Sequence, residues 1–124
     1  MCALKKVIKM KLIHYIDGKL DKKYSDLVMI EEKKSRKYKF FLDNIMNYIY
    51  ITDRLVFKRE SEDYIIELNL SEKPSCKIYL KSENKDLEIV VVSSNYTINE
   101  RYIDFKYVLD IDSKEHHIIL EIGD

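Results

Sequence analysis

Apolar and polar residues alternate with a period of two along most of the second half of the chain. After Arg101, the apolar positions of the first such stretch are Ile103, Phe105, Tyr107, Leu109 and Ile111. After the polar stretch Asp112–Glu115, the same spacing recurs at His116, Ile118, Leu120 and Ile122. Because successive side chains of a β-strand point to opposite faces, this spacing gives each strand one apolar face. The pattern predicts a hairpin with two long arms.

The same alternation, in shorter stretches, occupies much of the chain upstream. Its apolar positions include Tyr38, Phe40 and Leu42, then Leu55 and Phe57, then Tyr64, Ile66, Leu68 and Leu70, then Cys76, Ile78 and Leu80. Turn-favouring residues separate these stretches at intervals of about ten residues, which is typical of successive hairpins. The pattern predicts an all-β fold over residues 1–124. We expect one antiparallel up-and-down β-barrel of about eight to ten strands, calycin-like or lipocalin-like.

Two stretches need a separate interpretation. Residues 4–16 fit both a helical stripe and a strand face, but Asp17-Gly18 and the β-branched run that follows favour the first arm of a hairpin. The run Leu87–Ser93 is almost wholly apolar. An apolar run of this kind is typical of a strand that is covered on both faces.

Composition narrows the classes of function. The chain of 124 residues is 46% hydrophobic, and 22 basic residues balance 22 acidic ones. A balanced charge disfavours nucleic acids and anionic membranes as partners. Lysines interrupt the first apolar stretch, and no run approaches the roughly 20 apolar residues of a membrane helix. We therefore expect a cytoplasmic protein, and Cys2 and Cys76, which lack metal-binding spacing, are expected to be reduced thiols.

The second half also resembles a known family. The segments LVFKRES, KIYLKSENKDLEIVVVSSNYTI and YIDFKYVLDIDSKEHHIILEI occur in the order of strands in the YwiB-like family. The resemblance implies a small cytoplasmic bacterial protein with a calycin-like barrel and no established biochemical role. It also implies that Arg59 is the arginine that the family carries on a central strand. Glu60-Ser61 and the turn Ser82–Asp86 lack glycines that are frequent in the family.

Two histidines are predicted to face the barrel interior. His14 alternates with Met10, Leu12 and Ile16, and His116 begins the apolar set of the last strand. In a closed barrel with an even number of strands, the first and last strands are antiparallel neighbours. If Ile8 pairs near Ile122, His14 lies near His116. Two interior imidazoles can bind a polar ligand or titrate near neutrality, whereas wetted histidines at the barrel mouth are the structural alternative.

Arg59 is the strongest candidate for a ligand contact. It alternates with Leu55 and Phe57, so its guanidinium is predicted to face inward, where it needs an anionic partner or access to water. The structural alternatives are a salt bridge near the barrel end and an arginine that simply reaches water. Tyr64 and Tyr107, each on an apolar face, complete a predicted ligand-binding set of Arg59, Tyr64, His14, His116 and Tyr107.

No nucleophile elbow, P-loop or HExxH motif occurs, so we assign no catalytic residue, metal ligand or cofactor, and an enzyme is the least supported class. The leading hypothesis is a non-enzymatic barrel that binds a small hydrophobic or anionic ligand in its interior. The alternative is an interaction module with a filled core. It would act through an outer face that carries Val90, Val92, Ile65 and Ile119, as a homodimer or with another partner. A weaker third hypothesis is hydrolytic or metal-dependent chemistry at the histidines.

Overall fold

A computed structural model describes residues 5–32 and 36–123, and all regular structure in these residues is β-strand. The strands are β1 Lys5–Ile16, β2 Lys19–Glu32, β3 Lys37–Leu42, β4 Ile45–Ile51, β5 Leu55–Glu60, β6 Tyr64–Leu70, β7 Ser75–Leu80, β8 Lys85–Ile89, β9 Val91–Ile98, β10 Tyr102–Leu109 and β11 Glu115–Ile122. The segment for which helix and strand competed is β1. In the part of the chain described, no helix is long and apolar enough to cross a membrane. Cys2 lies outside the described residues.

The eleven strands form one antiparallel sheet in the order β8-β7-β6-β5-β4-β3-β2-β1-β11-β10-β9. The sheet curls into a nearly closed barrel, which confirms the predicted fold class. The first and last strands pair as expected, although the number of strands is odd. Only Val90 separates β8 from β9, so these two strands continue in one direction and count as one crossing of the barrel. The directions of β1 and β11 therefore remain opposite.

Aspartate, asparagine and serine form most of the tight turns, as the shortage of glycine requires. Asp43 and Asn44 both have positive φ, at 51° and 63°, between β3 and β4. This conformation matches the right-handed twist of a two-residue hairpin, and Asn and Asp tolerate it better than other side chains do. Asp17 and Gly18 also have positive φ, between β1 and β2, and this turn confirms the predicted first hairpin.

The core fills the interior with the side chains that alternate inward. Its members include Met10, Met29, Phe40, Ile49, Leu55, Leu68, Leu70, Ile103, Phe105 and Leu120, all at most 3% exposed. Each alternating set named in the sequence contributes to this core, so the period-two pattern identified the inward face correctly.

One sequence expectation is wrong. The run Leu87–Ser93 is not a strand covered on both faces, because it is divided between β8 and β9, the two edges of the sheet. Val90 and Val92 are 64% and 59% exposed. A run of apolar residues indicates only that these residues favour burial. Nothing in the described part of this chain covers Val90 and Val92.

Candidate functional site

Each of four strands carries a buried apolar side chain and a polar side chain that lies four residues away on the same inward face. The pairs are Met10 and His14 on β1, Leu55 and Arg59 on β5, Ile103 and Tyr107 on β10, and Leu120 and His116 on β11. Strands β1, β5 and β10 run in one direction and β11 in the other. Because the polar residue follows the apolar one on the first three strands and precedes it on β11, all four polar side chains lie at one end of the barrel.

Arg59 faces inward, as its alternation with Leu55 and Phe57 predicts. Its neighbours across the sheet are Asn47 on β4 and Ile66 on β6. The Nε atom of Arg59 is buried and has no hydrogen-bond partner among the described residues. Within the same part of the chain, no carboxylate forms a salt bridge with its guanidinium. Of the two structural alternatives, the salt bridge is absent from the described residues, and Arg59 is only half-buried, which agrees with the other, a guanidinium that reaches water. Its Nε is nevertheless a buried donor without a partner among the described residues.

His14 and His116 contact each other across β1 and β11. His14 Nε2 lies 3.1 Å from His116 Nδ1, and the ring centroids are 5.3 Å apart. The predicted proximity is therefore confirmed, but the predicted register is wrong. Met10, not Ile8, pairs with Ile122, so His14 lies opposite Ile118 and contacts His116 diagonally. The contact survives this shift of two residues because the side chains stay on the same face.

The two imidazoles form the middle of a linear chain that ends in a carboxylate on each side. His116 Nε2 lies 2.7 Å from Asp112 Oδ2, and His14 Nδ1 lies 3.8 Å from Asp21 Oδ2. When both rings are neutral, His116 donates from Nε2 to Asp112, and its Nδ1 accepts from His14 Nε2. The free acceptor of this chain is then His14 Nδ1, beside Asp21.

Burial and the neighbouring charges set the protonation of this chain. Burial, followed by the adjacent His116, lowers the pKa of His14, while Asp21 opposes and Arg59 and Lys22 reinforce the effect. Burial by itself raises the pKa of Asp112, but the hydrogen bonds from His116 and from the Lys114 backbone lower it overall.

Tyr107 connects the histidines to the arginine. Its ring stacks on that of His116, with centroids 5.0 Å apart, and packs against Phe105 on the other side. Burial raises the pKa of Tyr107 to about 12, with Arg59 opposing. The phenol is therefore neutral at physiological pH and keeps its proton available for a hydrogen bond.

Two small cavities meet at Phe57, Arg59 and Tyr107. The outer cavity has a volume of about 130 Å³, and its polar lining includes His14, Asp21, Lys22, Tyr24, Asp43, Asn47, Arg59 and Tyr107. The inner cavity has a volume of about 80 Å³ and is lined by Phe57, Arg59, Ile66, Leu68, Cys76, Tyr107 and Leu109. Arg59 is the only charged residue of the inner lining. Two larger depressions lie elsewhere on the described part of the chain, and none of the five predicted site residues lines them.

The structure brings together four of the five predicted site residues. Arg59, His14 and Tyr107 line the outer cavity, and His116 contacts both His14 and Tyr107. Tyr64, at the start of β6, lines neither cavity. His117 faces outward, as its position in the alternation predicts, and lies 2.7 Å from Asp104 on the neighbouring strand.

Sequence reasoning missed six polar residues of the site, among them Lys22 and Tyr24 on β2. Asn47, 2% exposed, is the one buried polar residue identified in the described part of the chain, and it lies beside Arg59. Its alternation with Ile49 and Ile51 was a usable signal for an inward position. Asp21, Asp43 and Asp112 reach the site from a bulge or turn, so no periodicity marks them.

Neither the histidines nor any other side chains in the described ranges form a group of three or more His, Cys, Asp or Glu that could hold a metal ion. The carboxylates and imidazoles of the site lie in a line, whereas a metal requires its ligands around one point.

Comparison of the chain with protein-family models, curated proteins and solved structures finds no match. The resemblance to the YwiB-like family therefore stays a prediction.

Proposed function

We propose that the barrel binds a small monocarboxylate, with the carboxylate on Arg59 and a short apolar tail in the inner cavity. The observation that carries this proposal is the buried Nε of Arg59, which has no hydrogen-bond partner among the described residues. A buried donor left unpaired costs about 1–3 kcal/mol, and an anionic ligand that accepts its hydrogen bond recovers that cost. The neutral hydroxyl of Tyr107, which borders both cavities, is a second donor for the same carboxylate.

The charges around Arg59 favour a ligand with a single negative charge. In the outer cavity Arg59 and Lys22 are balanced by Asp21 and Asp43, so a monoanion leaves a smaller excess of negative charge there than a dianion does. The inner cavity is bounded by aliphatic and aromatic side chains and by the Cys76 thiol, whose pKa is raised by burial. An alkyl tail in this cavity leaves no polar group of the ligand without a partner.

The volumes limit the length of the tail. Since an apolar cavity of about 150 Å³ takes benzene, the inner cavity of about 80 Å³ takes roughly three carbon atoms. Neither cavity approaches the roughly 300 Å³ of a typical drug-sized site, so a long-chain fatty acid does not fit. The sequence predicted a small hydrophobic or anionic ligand, and the cavity volumes narrow that class to short monocarboxylates. A non-enzymatic role and a cytoplasmic location stay predictions.

Isothermal titration calorimetry with acetate, propionate, butyrate and hexanoate tests the proposal. We expect affinity to peak at three or four carbons and propylamine to show no binding. Arg59→Gln should weaken the best ligand by at least roughly tenfold, since a hydrogen bond to a charged group contributes about 1.5–3 kcal/mol. Arg54→Gln is the matched control, because Arg54 lies on an exposed turn and contacts Asp53.

Two results would contradict the proposal. One is the absence of binding by every carboxylate of the series at millimolar concentration. The other is equal affinity for the wild-type protein and Arg59→Gln. Native mass spectrometry of gently purified protein adds an independent observation, since a discrete adduct lost in Arg59→Gln gives the mass of the natural ligand.

A further inference from the structure

The sheet ends in two edge strands of opposite character. Strand β8 has five residues, of which Lys85, Asp86 and Glu88 are charged. Strand β9 has eight residues and no charge. It belongs to the run Ile89–Asn99, the longest uncharged stretch in a sequence that is 35% charged. Natural proteins protect open edges by keeping them short and charged. Strand β8 is protected in this way, and β9 is not.

The backbone of β9 has donors and acceptors that point away from its one neighbour. The Asn99 amide donates to the Tyr102 carbonyl at 3.0 Å, which makes this pair a hydrogen-bonded one. Because hydrogen-bonded and non-hydrogen-bonded pairs alternate in an antiparallel ladder, the amides of Ser94, Tyr96 and Ile98 point to the free edge. Among the described residues β9 pairs only with β10, so these groups have no protein partner.

Apolar side chains beside this edge are also uncovered. Val90 and Val92 are 64% and 59% exposed, although they belong to a run with the composition of a fully covered strand. A long, uncharged edge of high β propensity without proline is a template for pairing with another strand. One added β-strand would therefore pair with the free backbone groups of β9 and cover these apolar side chains.

We propose that β9 pairs antiparallel with β9 of a second copy of this chain, which joins the two sheets across a two-fold axis. A two-fold contact pairs residue i of one strand with residue j of its copy, so a residue near the axis meets its own copy, and a charge there would face a like charge. The absence of charge permits this self-pairing. The outward side chains Ser93, Asn95 and Thr97 are exposed polar groups that can pair across the axis. Nothing on the edge offers the charge complementarity that would select a different partner. This inference is independent of the carboxylate site.

Sedimentation velocity between 1 and 200 µM, with these concentrations chosen to span roughly micromolar affinity, tests the pairing. We expect a monomer–dimer equilibrium that stops at two copies. Asn95→Lys places a cation near the middle of β9 and should weaken dimerisation by roughly tenfold. Ser82→Lys, an exposed position in the turn before β8, adds the same charge and should leave the dimer unchanged.

Amide hydrogen exchange of the wild-type protein gives a second measurement that needs no substitution. At high concentration the amides of Ser94, Tyr96 and Ile98 should be protected, and on dilution they should lose protection while Asn95 and Thr97 keep theirs. A monomer at every concentration overturns the proposal. So does a dimer that is insensitive to Asn95→Lys and leaves the three edge amides exchanging rapidly, or an assembly that grows beyond two copies.

Discussion

The two ends of the barrel are built from the same strands and have opposite chemistry. At one end, Leu55, Ile103 and Leu120 are at most 1% exposed and fill the interior. At the other, their strands carry Arg59 and Tyr107, which line two cavities, and His116, whose ring stacks on Tyr107. A displacement of four residues along one strand therefore separates a packed core from a polar site. The packed end stabilises the fold, so the protein remains folded despite the free-energy cost of the unpaired donor at the polar end.

Truncating the packed end should have the largest effect. Leu55→Ala removes three carbon atoms from a fully buried position and should lower the free energy of unfolding by about 2–5 kcal/mol. Chemical denaturation followed by circular dichroism measures this loss. A loss below about 1 kcal/mol would indicate that this end is loosely packed, and the contrast between the two ends would disappear.

Replacing Arg59, on the same strand, should change the free energy of unfolding by less and should raise it. Arg59→Met keeps much of the side-chain volume and removes the donor that lacks a partner. We therefore expect the ligand-free protein to gain about 1 kcal/mol of stability while it loses carboxylate binding. The same denaturation measurement applies, with Arg54→Met as the control for removing an exposed arginine. Destabilisation by Arg59→Met would show that the guanidinium has a structural partner.

The smallest effect should be the dependence of stability on pH at the polar end. The pKa of His14 is lowered in the folded protein, chiefly by burial and then by His116, so the unfolded chain binds the proton more readily. The contribution of His14 is complete above its unfolded pKa of 6.5 and decreases as pH falls through the folded value. Asp112, whose folded pKa is lowered from 3.8, loses its contribution only in more acidic solution.

Denaturation curves at pH 7.5 and 5.5, values that bracket about 6.5, measure this effect. The wild-type protein should lose stability between them, and His14→Gln should reduce that slope whatever its own stability. Equal slopes in the two proteins would remove His14 from the explanation. Asp53→Asn, which removes an exposed carboxylate outside this hydrogen-bonded chain, serves as the control and should keep the slope.

Particular residues show how far the sequence alone determined the site. The alternation of Arg59 with Leu55 and Phe57 was sufficient to place the guanidinium inside, because a period of two assigns a face without any knowledge of neighbouring strands. The same argument placed His14 and His116 on the inner faces of the first and last strands. It did not determine their register, which is set by how β1 and β11 meet across the sheet. Tyr64 shows the limit, since it has the right alternation and lines no cavity.

The alternation of side chains and the turn residues thus determined a single antiparallel β-sheet, its inward face and the inward position of Arg59, because these properties follow from local backbone geometry. Tertiary structure decided the rest. It brought Asp112, His116, His14 and Asp21 into one chain, left Arg59 Nε without a partner, and placed the uncharged run at an open edge. Each of these depends on which strands become neighbours and in what register, and a local pattern carries no information about that choice.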